Sequence, residues 1–234
     1  ALLGRNPLKA IGRKVPLPLS DPNCLIELDL PTPEVGPRDL LVQVKAVGLN
    51  PVDYKRRLST ELTVLGWDAA GVVESVGDET SLFKVGDEVF YAGDVLREGC
   101  DSELHAVDER VVGKKPKSLS FEQAAAMPLT TITAWECMFE RLGISKRAED
   151  NSGKSVLIIG GAGGVGSIAI QIAKKVAGLK VIATASRDET VKWCKEMGAD
   201  ETIDHRKAFK DEFEAKGLPE TDYILCFNST EKHV

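Results

Sequence analysis

The stretch Ser155–Gly178 limits what this 234-residue chain can fold into more than any other part of it. Val156–Ile159 is a short, β-branched apolar run, the pattern of a strand buried on both faces. Gly161, Gly163 and Gly166 follow it as G-x-G-x-x-G. Ile168, Ile172 and Val176 then recur every fourth residue, so the period has changed from strand to helix. A second apolar run, Val181–Ala183, arrives where a βαβ unit needs its next strand. Glycine at the first site permits a tight turn, at the second lets a pyrophosphate approach the backbone, and at the third lets helix and strand pack closely. The helix N-terminus adds unpaired N–H donors and partial positive charge. Gly161, Gly163, Gly164, Val165 and Gly166 are therefore the candidate diphosphate-binding residues. A ligand-free glycine turn is the plain alternative, and the glycine cluster with Gln171 breaks the run as a membrane span.

The end of the second strand bears on which dinucleotide binds. An NAD site places Asp or Glu there, about 20 residues after the glycines, to bond the ribose 2′-hydroxyl. Here the chain reads Thr184-Ala185-Ser186-Arg187, and Asp188 and Glu189 already open the next helix. Ser186 is suited to donate to a 2′-phosphate and Arg187 to pair with it. The expected cofactor is NADPH.

Net charge is −6, which argues against nucleic acid or an anionic membrane as the main partner. No signal pattern and no uninterrupted apolar span is read. The five cysteines are scattered without C-x-x-C spacing, which suits reduced thiols, a cytoplasmic location and no disulfide frame. Asn228-Ser229-Thr230 is then a chance sequon.

Residues 1–8 read as a loose lead-in. Strands are expected at Lys9–Val15, Cys24–Leu30, Asp39–Val47, Ala69–Val76, Glu88–Tyr91, Ser102–Val107 and Arg110–Val112, with proline and Val-Gly-Asp turns between them. Many short strands suggest a closed or nearly closed barrel. The pattern changes at Ser118, setting domains at 1–118 and 119–234. Ser120 and Gln123 form a capping box, Phe121–Met127 starts a helix, Pro128 interrupts it, and Thr130–Leu142 is helical again. Beyond the glycine unit come a helix (Asp188–Met197), a strand (Glu201–Asp204), a helix (Lys207–Lys216) and a strand (Asp222–Phe227). That makes four strands where a complete fold of this kind has about six. The second domain reads as an incomplete Rossmann fold.

Four ordered stretches carry a resemblance: Ala46–Asp53 (Ala-Val-Gly-Leu-Asn-Pro-Val-Asp), Leu65–Val73 (Leu-Gly-Trp-Asp-Ala-Ala-Gly-Val-Val), Pro128–Trp135 and the glycine motif. From Lys9 onward the chain resembles the medium-chain dehydrogenase/reductase superfamily, within it the quinone oxidoreductases and the zinc-type alcohol dehydrogenase-like group. The resemblance implies a GroES-like β-barrel catalytic domain followed by a Rossmann doubly wound parallel sheet, NADPH and a homodimer. It also implies a further C-terminal segment that finishes the Rossmann sheet, and the connection from Arg57 to Leu65 is shorter than the family's.

Zinc-using relatives have Cys where this chain has Asn50, His where it has Trp67, and Cys where it has Leu129. An amide, an indole and an alkyl chain cannot replace those ligands, and Asp68 alone makes no site. Of the four-cysteine structural lobe only Cys100 remains. No metal is expected. A quinone or an α,β-unsaturated carbonyl accepts hydride without a Lewis acid, because conjugation spreads the developing charge. The expected activity is therefore NADPH-dependent reduction of a quinone or enone. By resemblance Asn50, Tyr54, Lys55, Trp67 and Thr133 line the cleft, Asn50 donating to the acceptor oxygen, Tyr54 donating a bond or a proton, and Trp67 stacking on a planar acceptor. Their plain alternatives are Asn50 as a turn-former and Trp67 as core. Lys55 stands where the family often has tyrosine, and His205 where relatives place a tyrosine beside the adenosine phosphate. Tyr91 and Asn228 are weaker candidates. Two other functions stay open, an NADPH-binding protein of little turnover and a zinc-type alcohol dehydrogenase.

Overall fold

A computed structural model describes residues 7–56, 63–228 and 230–233, the side chain of the last excepted. The lead-in at 1–6, most of the 57–65 connection and Ser229 of the sequon lie outside the described residues. The chain divides into two compact units, Ala1–Leu129 and Thr130–Val234.

The first unit is mainly antiparallel β. Strands β1 (Leu8–Gly12) and β2 (Ile26–Leu30) pair as a two-stranded sheet. Strands β3 (Asp39–Val47), β4 (Ala69–Val76), β5 (Glu88–Tyr91), β6 (Leu104–Asp108) and β7 (Val112–Lys114) form a five-stranded sheet in the order β6-β3-β4-β5-β7. Two register shifts in the β3–β4 pairing, at Leu41/Val42 and Val44/Ala46, are the irregularities that bend and twist a strand. The hairpin joins the sheet through the bridge Ala10↔Ser102 and through a shared core, in which Leu8 and Ala10 of β1 pack with Leu41 of β3 and Leu104 of β6. The result is a curled, open half-barrel. Leu40, Val42, Val73, Val89 and Val107 fill its core.

Three features here depart from the expectations. The strand expected at Arg110–Val112 starts only at Val112, because Glu109–Val111 form a 3-10 turn in which Asp108 Oδ1 accepts the Arg110 N–H. Helix α1 (Pro51–Arg56) was not predicted, because six residues are too few to show a helical period. The chain also divides later than residue 118. Helix α2 (Phe121–Ala125) opens on the expected capping box, in which Ser120 Oγ accepts the Gln123 N–H at 3.2 Å. It then packs Ala124 and Ala125 on Ala70 and stays with the sheet. Helix α3 (Pro128–Trp135) starts at the proline and runs on into a π-helical turn, Glu136–Arg141.

The second unit holds a parallel sheet of β8 (Ser155–Ile159), β9 (Lys180–Thr184), β10 (Glu201–Ile203) and β11 (Tyr223–Cys226), ordered β10-β9-β8-β11. All five residues of β8 are buried. Val156 and Ile158 face one core with Ala169, Ile170 and Ala173 of α4 (Gly164–Lys175). Leu157 and Ile159 face another, with Ile182, Ile203 and Phe209 and Phe213 of α6 (Phe209–Ala215). A strand with a helix on each face needs no polar side, which is why its sequence reads as one apolar run. Helix α5 (Asp188–Met197) covers the α4 side. Among the described residues no helix is long and apolar enough to cross a membrane.

Candidate functional site

In the second unit β8 pairs with β9 on one side and β11 on the other, so the strand order reverses there. Ligands of open α/β sheets bind beyond the strand carboxyl ends at such a point. A pocket of ≈ 310 Å³ lies there. Its lining includes Gly160 and Gly163 from the glycine loop, Ser186 and Arg187 after β9, His205 after β10, and Asn228 after β11.

The glycines divide their work differently from the simplest reading of the motif. The left-handed turn belongs to Gly160, at φ 85°, one residue before the G-x-G-x-x-G begins. Gly161 has no room for a side chain, since a Cβ would stand 2.8 Å from Ala183 Cβ and 3.2 Å from Cys194 Sγ. Gly166 matches its expected role, because a Cβ there would meet Gly160 O at 2.2 Å, so α4 packs directly on the loop. At Gly163 a Cβ would meet only Gly160 O, at 3.3 Å. The space above Gly163 is thus open, and it is kept free by the missing side chain. Gly163 caps α4 without a side-chain bond, and the N–H groups of Gly164, Val165 and Gly166 stand in the first turn, where a helix has no acceptor of its own. This cradle fits a diphosphate.

Where the pocket is lined by the residues after β9 and β10, Ser186 is half-buried while Arg187 and His205 are exposed. Arg187 makes no ion pair among the described residues, and its backbone N–H goes to Thr190 Oγ1 at 3.2 Å. No carboxylate lines this pocket. The nearby Asp204 is held by Arg206 at 2.6 Å, and that bond keeps its carboxyl well below the usual range. Arg206 also donates to the Ser186 carbonyl at 2.9 Å and fixes the loop that carries Ser186 and Arg187. Neither Arg206 nor Thr184, whose Oγ1 accepts the Gly160 N–H at 2.9 Å, was read from the sequence. Both act through spatial neighbours 20 and 24 residues away, which no local pattern announces. Thr133, half-buried on α3, belongs to the second unit but not to this pocket's lining.

The remaining candidates belong to the first unit. Tyr54 and Lys55 stand exposed on α1, Tyr54 at 46%. Asn50 caps the start of that helix. Both N–H bonds of its amide are already used, to Gly48 O at 3.2 Å and Asp68 Oδ2 at 3.0 Å. The expected donation from Asn50 to an acceptor oxygen is therefore corrected, since no free N–H remains to make it. Trp67 is corrected as well. It is 2% exposed and its indole N–H donates to Asp94 O at 3.0 Å, so it is core and not a stacking platform. Tyr91 is likewise buried, its hydroxyl bonded to His105 Nδ1 at 3.0 Å. Glu98 O takes the His105 Nε2–H at 2.9 Å, so Nδ1 is the acceptor for Tyr91.

Asp53 and Asp68 both bond to Asn50, and Asp53 stands close enough to Asp101 to act on its charge. Burial pushes Asp68 up to about 7 and Asp101 up to about 7, and Asp53 is raised by the same cause. The donor set does not suit zinc. At the three positions discussed, Asn50 and Trp67 present N–H groups already bonded to oxygen, and Leu129 presents an alkyl chain. Burial raises the Cys100 thiol far above its usual range, and its sulfur accepts the Asp68 N–H at 3.4 Å. Among the described residues no three His, Cys, Asp or Glu side chains are grouped to hold a metal ion.

Comparison with known proteins places this geometry. The family profile described as "Alcohol dehydrogenase GroES-like domain" matches residues 36–135, and "Zinc-binding dehydrogenase" matches 164–230. A zinc-type alcohol dehydrogenase-like protein of Staphylococcus epidermidis is 45% identical over 97% of this chain and 68% of its own length. The crystal structure of a candidate zinc-dependent alcohol dehydrogenase of Rhizobium etli CFN 42 superposes with a TM-score of 0.89 at 49% identity, covering 97% of this chain and 67% of that one. A quinone oxidoreductase from Pseudomonas syringae pv. Tomato DC3000 gives 0.77 at 35% identity, over 93% and 65% respectively. The chain thus spans about two thirds of the length of these relatives.

Proposed function

Since this chain belongs to the medium-chain dehydrogenase/reductase superfamily, a family of oxidoreductases, we propose that it is an NADPH-dependent reductase of quinones or α,β-unsaturated carbonyls that works without a metal. The observation that carries the reading is the pocket at the strand ends, which joins an open glycine cradle to an unpaired Arg187 and contains no carboxylate. Relatives point the same way. A 2-methylene-furan-3-one reductase of Solanum lycopersicum is 42% identical over 78% of this chain, and an NADPH-dependent alkenal/one oxidoreductase of Arabidopsis thaliana is 38% identical over 78%.

In this reading the N–H groups of Gly164, Val165 and Gly166 hold the diphosphate. Ser186, Arg187 and His205 hold the 2′-phosphate, Arg187 through a charge-assisted pair. When bound, the reduced nicotinamide supplies a hydride. The acceptor gains that hydride and one proton, so a quinone leaves as a hydroquinone. Tyr54, an exposed residue of α1, is the proposed proton donor, and Lys55 is its neighbour on the same helix. Thr133 and a homodimer are further parts of the proposal, the latter read by molar mass in solution.

The test is a steady-state assay of NADPH oxidation with a panel of quinones and enones. Turnover with NADPH well above that with NADH supports the reading. Tight NADPH binding with no turnover on any acceptor replaces it with the cofactor-binding reading. Activity that follows added zinc would restore the zinc-type alternative.

A further inference from the structure

Asn50 caps α1, with Pro51 at the first helical position. An asparagine there ordinarily turns its Oδ1 toward the N–H groups of the first turn. This one does not. Asp53 reaches back to the Asn50 backbone N–H at 2.6 Å, which is half of a capping box. The Asn50 amide turns the other way, to Gly48 O and Asp68 Oδ2. Gly48 O accepts whatever the charge on Asp68, and an ionised Asp68 also only accepts, so the nitrogen must face them. The orientation of the amide follows from the chemistry of its partners.

Asp68 has little freedom to release it. The residue is 1% exposed. Its second oxygen accepts the Leu129 N–H at 3.1 Å, and its backbone carbonyl accepts the Gly48 N–H at 2.8 Å. A Cβ on Gly48 would stand 3.2 Å from Asp68 Oδ2 and 2.6 Å from Ala125 O, so the loop is pressed against the carboxylate. With both hydrogens committed, Asn50 is left with one free atom. Its Oδ1 has no partner among the described residues.

We propose that Asp68 is a positioning residue that fixes Asn50 as a hydrogen-bond acceptor. The ligand group that meets Asn50 is then a donor, an amide N–H or a hydroxyl, and not a ketone or quinone oxygen. For a quinone reductase this favours the hydroquinone product over the quinone at that contact. The inference rests on the reading of Asn50 as a site residue, but the amide orientation is measurable without any cofactor or turnover.

The test uses ¹⁵N-labelled protein free of cofactor, with the Asn50 side-chain amide signals identified by their loss in Asn50→Asp. In the parent protein above about pH 8, where Asp68 is ionised, these two proton signals are widely split, because one faces a carboxylate. Asp68→Asn, which keeps size, and Asp68→Ala both collapse the splitting toward that of a free asparagine. Durohydroquinone, bound anaerobically, loses about tenfold in affinity in Asp68→Asn, whereas the KM for duroquinone changes less than twofold. Signals unchanged in both variants overturn the positioning role. A hydroquinone that fails to bind, or that loses no more than the quinone, overturns the acceptor assignment. Absence of turnover would bear on the proposed activity alone, since the amide spectrum does not depend on it.

Discussion

Thr184 Oγ1 accepts the backbone N–H of Gly160 at 2.9 Å, tying the end of β9 to the first residue of the glycine loop. Thr184 is 3% exposed whereas Gly160 is half-buried at the rim of the pocket, so the bond is partly shielded from water. Thr184→Val keeps the shape and removes the acceptor, leaving a partly buried donor unpaired at a cost of about 1 kcal/mol. The midpoint of chemical denaturation should fall accordingly, while Thr184→Ser should recover most of the loss.

Gly166 sits so that a Cβ would meet Gly160 O at 2.2 Å and Gly161 O at 2.7 Å. Both atoms are backbone and cannot rotate away. Gly166→Ala should therefore push α4 off the loop, destabilise the second unit by roughly 1–3 kcal/mol and weaken dinucleotide binding. Gly163→Ala separates the two effects. A methyl at Gly163 meets only one atom, at 3.3 Å, so it should leave the denaturation midpoint nearly unchanged while it obstructs the cradle. Calorimetry of folding and of binding on both variants checks the contrast.

Much of this was legible in the sequence, because the second unit is built from local patterns. The run Val156–Ile159, the change of period after Gly166 and the capping box at Ser120 each need only a few neighbouring residues to be read. What escaped the sequence depends on contacts across the chain. Trp67 looks like a stacking platform in a motif, but its position is decided by Asp94, 27 residues away. The Asn50 amide looks like a donor until Asp68, 18 residues on, is seen to occupy it. The turn glycine was placed one residue late, because the motif marks all its glycines alike whereas backbone conformation and crowding tell them apart.

Asp101 offers a pH-dependent prediction. Its Oδ1 is buried without a partner, and burial together with the nearby Asp53 raises its pKa from 3.8 to about 7. The folded protein therefore holds this proton more tightly than the unfolded chain does, and so does Asp68. These carboxyls make stability decline as pH rises from about 4 to about 7 and level off above that, against a smaller opposing rise up to about 6.5 from His105, which burial keeps neutral with its pKa lowered to about 4. Asp53 is raised too, so Asp101→Asn removes one of three such contributions. It should be more stable than the parent at pH 8 by roughly 1–3 kcal/mol and indistinguishable from it at pH 4. Thermal unfolding across that range reads the difference.

Trp67 is expected to act on stability and not on acceptor choice. Trp67→Phe keeps most of the buried ring and loses the bond to Asp94 O, costing about 1–2 kcal/mol. The order of preference among quinones and enones should stay the same. A reordered preference would return Trp67 to the site.

The central claim is that the second unit binds a pyridine nucleotide through the open cradle and recognises its 2′-phosphate through Arg187. Isothermal titration of the parent protein and of Arg187→Ala with NADPH and with NADH measures it most directly. The account predicts NADPH binding that weakens at least tenfold in the variant, with NADH affinity changed less than twofold. Equal losses for the two nucleotides, or no NADPH binding by the parent protein, would contradict it.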